Sequence, residues 1–268
     1  TDSPRAILLA LPPGMESLPR SVFLSDRRFP CEGPMLLQVT RDTARTLGAS
    51  GSGGRIRVAA SYRVAEQEVP NVVATKPARG AGATQPPLVV SAHFDGTGDL
   101  SEEARYPSAV DNASGTAIVL EIARILATGA APTLTRPVWI VLFNGEEQGL
   151  YGSRAFVQRY GGDIRGALVV NVDMVGHDAG IPIAVTHVRG AARVANRLAD
   201  VLEDAGLTAT VAEGGGSDHA AFDGTATALS VVQSPYRSMH QQSDRSSRAI
   251  PTVLDTVATA LLEFLRDQ

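Results

Sequence analysis

The 268-residue sequence predicts an α/β fold, a three-layer αβα sandwich whose central sheet is mixed and mostly parallel, and two observations carry that expectation. From Leu88 onward, short apolar runs alternate with longer stretches of helical period, the pattern of strands joined by covering helices. The runs "LVVSA", "VWIVLF" and "LVVNV" are apolar nearly throughout, as strands buried on both faces are.

Residues 1–53 are punctuated by Pro and Gly, with a strand-like "AILLAL" and a helix expected over "TRDTARTLG" that stops at Gly48. The cluster "GASGSGG" (48–54) marks a boundary, so 1–53 is expected to form an N-terminal segment and 54–268 the main domain. "RIRVAASYRV" alternates like a half-buried strand, "NVVAT" follows it, and "PARGAGATQPP" is a loop that leads into "LVVSA". The pattern then predicts helix 114–128, strand 137–143, helix 151–160, strands 167–172 and 181–186, helix 190–205, strand 226–232 and helix 250–266. In open sheets of this kind ligands gather outside the carboxyl ends of strands, so polar residues just past those ends are where chemistry is expected.

The net charge of −4 and the lack of a basic stripe argue against nucleic acid as a partner. No apolar stretch is long enough to span a membrane, and none follows a basic start. The chain begins at Thr1 and reads as a processed product, for which secretion or a periplasmic location is expected. Cys31 is the single cysteine, so no disulfide within the chain is expected.

Five stretches carry candidate chemistry. "LVVSA" runs into "HFDGTG", where alternation puts His93 and Asp95 on one side of the strand. There a carboxylate could hold the imidazole while its other nitrogen binds a metal. "VDNASG" sets Asp111 and Asn112 before a helix, where Asn112 or Ser114 is read as a cap. "FNGEEQGLYGS" places Glu146 and Glu147 side by side after an apolar strand, and such a pair repels unless a cation or a shared proton compensates it. "LVVNVD" ends at Asp173, a residue type seldom buried unless paired or metal-bound. "SMHQQSD" adds His240 and Asp244 in a late loop. Two histidines and three carboxylates form a nitrogen and oxygen set suited to a pair of zinc ions.

The order "HFD", "VDNASG", "NGEEQGLYGS", "NVDMVG", "SDHAAF", "MHQQSD" resembles the M28 family of co-catalytic zinc aminopeptidases, over about residues 55–268. The resemblance implies a zinc-dependent exopeptidase fold and two zinc ions. His93, Asp111 and Asp173 would hold one ion and Asp111, Glu147 and His240 the other, with Asp111 as the bridge. It implies a cis peptide at Asp111–Asn112, an orienting role for Asp95 on His93, and Glu146 as general base. The implied substrates are peptides with a free N-terminus, cleaved without a covalent intermediate. Many similar aminopeptidases carry Tyr where this chain has Met239, and Tyr236 is the candidate to replace it at an oxyanion. Met174 and Phe222 are candidates to line a side-chain pocket, while His177, His187 and His219 are read as structural or surface residues. "GPMLLQVTRDTARTLGA" looks like the end of a protease-associated domain, which makes 1–53 a reduced remnant of one.

Within enzymes, a glutaminyl-cyclase-like aminoacyltransferase with one zinc and a carboxypeptidase are the rival readings. Outside them stands a binding module that has lost its ligands, which the complete set of candidate donors disfavours. A serine hydrolase is disfavoured because no G-x-S-x-G elbow occurs.

Overall fold

The apolar runs become the middle of a sheet because each is covered on both faces. Every residue of β4 (Leu88–His93) and of β6 (Leu168–Asp173) is buried. The computed structural model describes residues 6–10, 35–49, 57, 68–78, 80–99, 102, 105–130 and 134–268. In the N-terminal segment, β1 (Ala6–Ala10) pairs in parallel with β2 (Met35–Val39), and α1 (Arg41–Ala49) follows. The strand expected over 55–64 lies, apart from residue 57, outside the described residues.

The main sheet also contains β3 (Val72–Lys76), β5 (Val138–Phe143), β7 (Ile183–His187), β8 (Ala209–Glu213) and β9 (Thr227–Gln233). Its order is β3-β5-β4-β6-β9-β7-β8, with antiparallel pairs only at β3/β5 and β7/β9. The sheet is therefore mixed and mostly parallel, as expected. Two strands, one in each sheet, differ from the sequence reading. β2 and β8 were not anticipated, because β8 is a half-exposed edge strand without a sustained apolar run and β2 sits among turn-forming residues.

The helices are α2 (Gly115–Thr128), α3 (Tyr151–Tyr160), α4 (Ala192–Asp204) and α5 (Pro251–Arg266). α2 ends on Gly129, whose φ of 72° lets its amide return to the Ile125 carbonyl. α5 opens with Pro251, whose missing amide proton is not needed at that position.

Topology decides where the site lies. The chain steps from β4 to β5 through α2, then back past β4 to β6 through α3. Right-handed crossovers taken in opposite directions put α2 and α3 on opposite faces and leave a crevice at the carboxyl ends of β4, β5 and β6. On the α3 side, Phe156 packs against Phe143 at 5.6 Å and Phe222 at 6.1 Å between ring centroids. Phe222 is fully buried in this cluster and does not line a pocket, since the short 3₁₀ helix Asp218–Phe222 turns its ring toward the core.

Candidate metal centre

Four strands that run in one direction end at the same edge of the sheet, and they or the segments after them deliver every candidate side chain. His93 and Asp173 are the last residues of β4 and β6. Glu146 and Glu147 lie just past β5, and His240 lies in the loop after β9. Asp111 comes from a π-helical turn, Ala109–Ser114, inside which Asp111 and Asn112 leave helical geometry. The Asp111–Asn112 peptide is cis, as the resemblance implied.

Asn112 keeps that turn in place. Its Oδ1 accepts the Gly115 amide at 2.9 Å, which caps α2, and the Met174 amide at 3.2 Å, while its Nδ2 donates to the Val172 carbonyl at 2.9 Å. The capping expected of Asn112 is thus present and also staples α2 to the end of β6. Ser114 is not a cap, because its hydroxyl donates to the Val110 carbonyl at 2.7 Å.

Two groups of donors adjoin one another. His93, Asp111 and Asp173 offer atoms that could hold one ion, and Asp111, Glu147 and His240 offer atoms that could hold another. His93 Nε2 is 3.4 Å from both Asp111 Oδ1 and Asp173 Oδ1. His240 Nε2 is 3.2 Å from Asp111 Oδ2 and 2.8 Å from Glu147 Oε2. The two oxygens of Asp111 therefore face different imidazoles, which is the geometry a bridging carboxylate requires. Glu147 Oε1 is buried with no hydrogen-bond partner, so the cage retains an unused acceptor. Among the described residues no Lys or Arg forms an ion pair with any of the five. Imidazole and carboxylate donors in this number fit a pair of divalent cations such as zinc.

The electrostatics agree with that fit. Burial pulls His93 down, but Asp173, Asp111 and Asp95 outweigh it and hold its pKa well above the ordinary value. Hydrogen bonds that the His240 ring donates to Asp111 and Glu147 raise its pKa to about 10. Burial pushes Asp111 up, yet His240 and His93 bring it down to about 2. Glu147 is raised, chiefly by burial. The neighbouring carboxylates favour protonated imidazoles at both positions, and a divalent cation would compete for the same carboxylates, so metal uptake there would release protons.

Asp95 has a larger part than its expected one. It lies beside His93, with Oδ1 at 3.5 Å from Nδ1, and it also receives the Glu146 amide on Oδ1 and the Glu147 amide on Oδ2, both at 3.2 Å. One carboxylate thus fixes an imidazole and the turn that carries both glutamates. Glu146 belongs to neither donor group and lines the adjoining cavity, and burial pushes its pKa up to about 9.

That cavity measures about 460 Å³. Leu150, Met174, Val232 and Met239 give it apolar walls, and His219 and Thr186 also line it. Met174 lines it as expected, whereas His219, read as structural or surface, borders it while its Nε2 donates to the Gly214 carbonyl, 2.9 Å away. His187 is buried against the Val188 carbonyl and His177 stacks on Tyr236. Tyr236 does not replace the absent tyrosine, because its hydroxyl donates to Asp244 Oδ1 at 2.7 Å. One row below His93 and Asp173, roughly 7 Å along the strands, the Asn171 amide accepts from Ser91 and donates to Ser217 and Ser230. Those buried polar groups are satisfied and serve as a firm base for the ligand row.

A family model for Peptidase family M28 matches residues 71–265. Together the fold and the paired donor groups define an α/β protein built around two adjoining metal-competent cages. The chain belongs to peptidase family M28. A probable zinc metalloprotease of Pyricularia oryzae is 36% identical over 146 residues, which cover 49% of this chain and 28% of the relative. The chain matches less than a third of the length of the curated relatives it resembles. An aminopeptidase from Aneurinibacillus sp. strain AM-1 superposes with a TM-score of 0.63 at 23% identity, over 87% of this chain and 57% of that one. A glutaminyl cyclase from Fimbriiglobus ruber gives 0.55 at 20% identity, over 74% of this chain and 75% of that one. At these identities the likeness to solved structures is one of fold.

Asp218, in the "SDHAAF" stretch, was not singled out from sequence. It is fully buried with neither carboxyl oxygen hydrogen-bonded, and the Ser153 hydroxyl beside it donates to the Leu150 carbonyl at 3.3 Å. Burial raises its pKa to about 7. A carboxyl raised in the folded state contributes full stability below its unfolded pKa and loses it as pH rises through the folded value. Asp218→Asn in chelator-treated protein is therefore expected to gain stability over the parent at pH 8, by at most about 4 kcal/mol from the size of the shift, since the buried amide NH₂ it introduces finds no acceptor. The gain should vanish near pH 4, and thermal melts across that range check both the sign and the window.

Proposed function

We propose that this chain hydrolyses the amino-terminal peptide bond of peptides at a two-zinc site, with Glu146 as the general base. The observation that carries the proposal is the division of Asp111, with Oδ1 toward His93 and Oδ2 toward His240, so that one carboxylate serves both cages. His93, Asp111 and Asp173 would hold one zinc, and Asp111, Glu147 and His240 the other. Bound there, the two ions would acidify water and polarise a peptide carbonyl.

The chain's own residues supply the rest. Asp95 holds the turn in which Glu147 is a donor and Glu146 is not, so the neighbouring glutamates take different tasks. Glu146 Oε accepts a proton from the attacking water and passes it to the nitrogen of the leaving amine. The apolar walls formed by Leu150, Met174, Val232 and Met239 receive the first side chain and keep bulk water from it. Among the described residues that line the cavity there is no Lys or Arg, so a substrate's free carboxylate would find no counter-charge. That supports an aminopeptidase over a carboxypeptidase. The complete five-donor set supports two metals over the one-metal cyclase reading, despite the shared fold.

Glu146→Gln keeps the shape of the side chain and removes its basicity. The variant is expected to retain metal and to lose hydrolysis of aminoacyl p-nitroanilides by at least ~10²-fold; turnover equal to the parent's would remove Glu146 as the base. Acetylation of the substrate's α-amino group should abolish cleavage, and release of product from the blocked substrate at the parent rate would contradict the amino-terminal specificity.

A further inference from the structure

The two halves of the metal centre are held by different means. His93 and Asp173 end adjacent strands of the sheet, and their positions follow from β4 and β6. His240 has no such support. It sits in a loop with a φ of 58°, a left-handed conformation that a side-chain-bearing residue keeps only when its surroundings impose it.

Those surroundings converge on Asp244. Its buried carboxylate accepts the Val110 amide at 2.8 Å and the Tyr236 hydroxyl at 2.7 Å on Oδ1, and the Asp111 amide at 3.1 Å on Oδ2. Its own carbonyl receives the Ala109 amide at 3.5 Å. Between Asp244 and His240 the loop is tied internally. The Asp244 amide donates to the Gln241 carbonyl at 3.1 Å, the Gln241 amide to the Ser238 carbonyl at 3.0 Å, and the Gln241 side chain to the Arg237 carbonyl at 2.7 Å. A carboxylate that accepts amide protons makes stronger bonds than a neutral acceptor, and loss of such a partner leaves buried donors unsatisfied.

We propose that Asp244, oriented by Tyr236, is a positioning residue that sets the separation between Asp111 and His240 and thereby the metal affinity of the half-site formed by Glu147 and His240. The inference rests on the two-metal reading. It assigns the two halves unequal dependence: the half anchored on β4 and β6 takes only Asp111 from the clamped segments, whereas the other half takes both Asp111 and His240 from them.

Metal-depleted protein is titrated with zinc by calorimetry, and His240→Ala identifies which binding step belongs to the His240 half. Asp244→Asn, which sets an amide NH₂ against a backbone N–H, is expected to weaken that step by at least about tenfold and the other by less than about threefold. Tyr236→Phe leaves both amide bonds in place and should weaken the same step by a smaller factor. Amide exchange at Val110 and Asp111 in the metal-free protein should quicken in Asp244→Asn. Equal weakening of both steps, or unchanged affinities, would overturn the proposal. Should Asp244→Asn fail to fold, Tyr236→Phe decides: a selective loss supports the clamp and none overturns it. Fewer than two metals in the parent protein would defeat the two-zinc reading itself, and in that case unchanged exchange at Val110 and Asp111 would overturn the clamp separately.

Discussion

Asp111 stands between two imidazoles, with each oxygen turned to one of them, and it does so in the midst of other carboxylates. Glu147 and Asp173 complete the two groups, while Glu146, Asp95 and Asp218 lie close enough for their charges to be felt. Carboxylates brought out of water in this number need compensation, and no Lys or Arg among the described residues pairs with the five donors. The rest of the architecture can be understood as the means of holding that concentration of negative charge where cations can reach it.

Two kinds of support achieve this. The sheet places His93 and Asp173 through the register of β4 and β6, above a hydrogen-bonded base of Ser91, Asn171, Ser217 and Ser230. The loops are placed by carboxylates that accept backbone amides: Asp95 for the turn of Glu146 and Glu147, and Asp244 for the turn of Val110 and Asp111. In each case a side chain with no place in the donor groups converts an irregular segment into a fixed one. The proposed peptidase activity would depend on such fixing, since the attacking water, the base and the carbonyl would have to meet within a few tenths of an ångström.

Much of this was legible in the sequence, for specific reasons. β4 and β6 are buried throughout, so their apolar runs announced both the strands and the polar residues at their ends. His93, Asp111, Glu147, Asp173 and His240 could be chosen because each departs from its local pattern, and the order of the motifs tied them together. The half-exposed β8 had no comparable signal, and Phe222 belongs to an aromatic cluster whose members come from distant segments. Asp95 was expected to orient His93 and Asp244 was noted only beside His240, and neither was expected to hold a loop. Their bonds go to backbone amides, which every residue carries, so the partners depend on the path of the loops and leave no mark in the side-chain pattern.

The central claim is that one carboxylate bridges two metal ions, and metal content per chain tests it most directly. Protein freed of metal, reloaded with zinc and passed through a desalting column would be measured by elemental analysis beside an Asp111→Asn variant. The account expects two zinc ions per parent chain and a marked loss from both half-sites in the variant, because Asp111 belongs to each donor group. A parent chain that kept one ion, or a variant that still kept both, would contradict it.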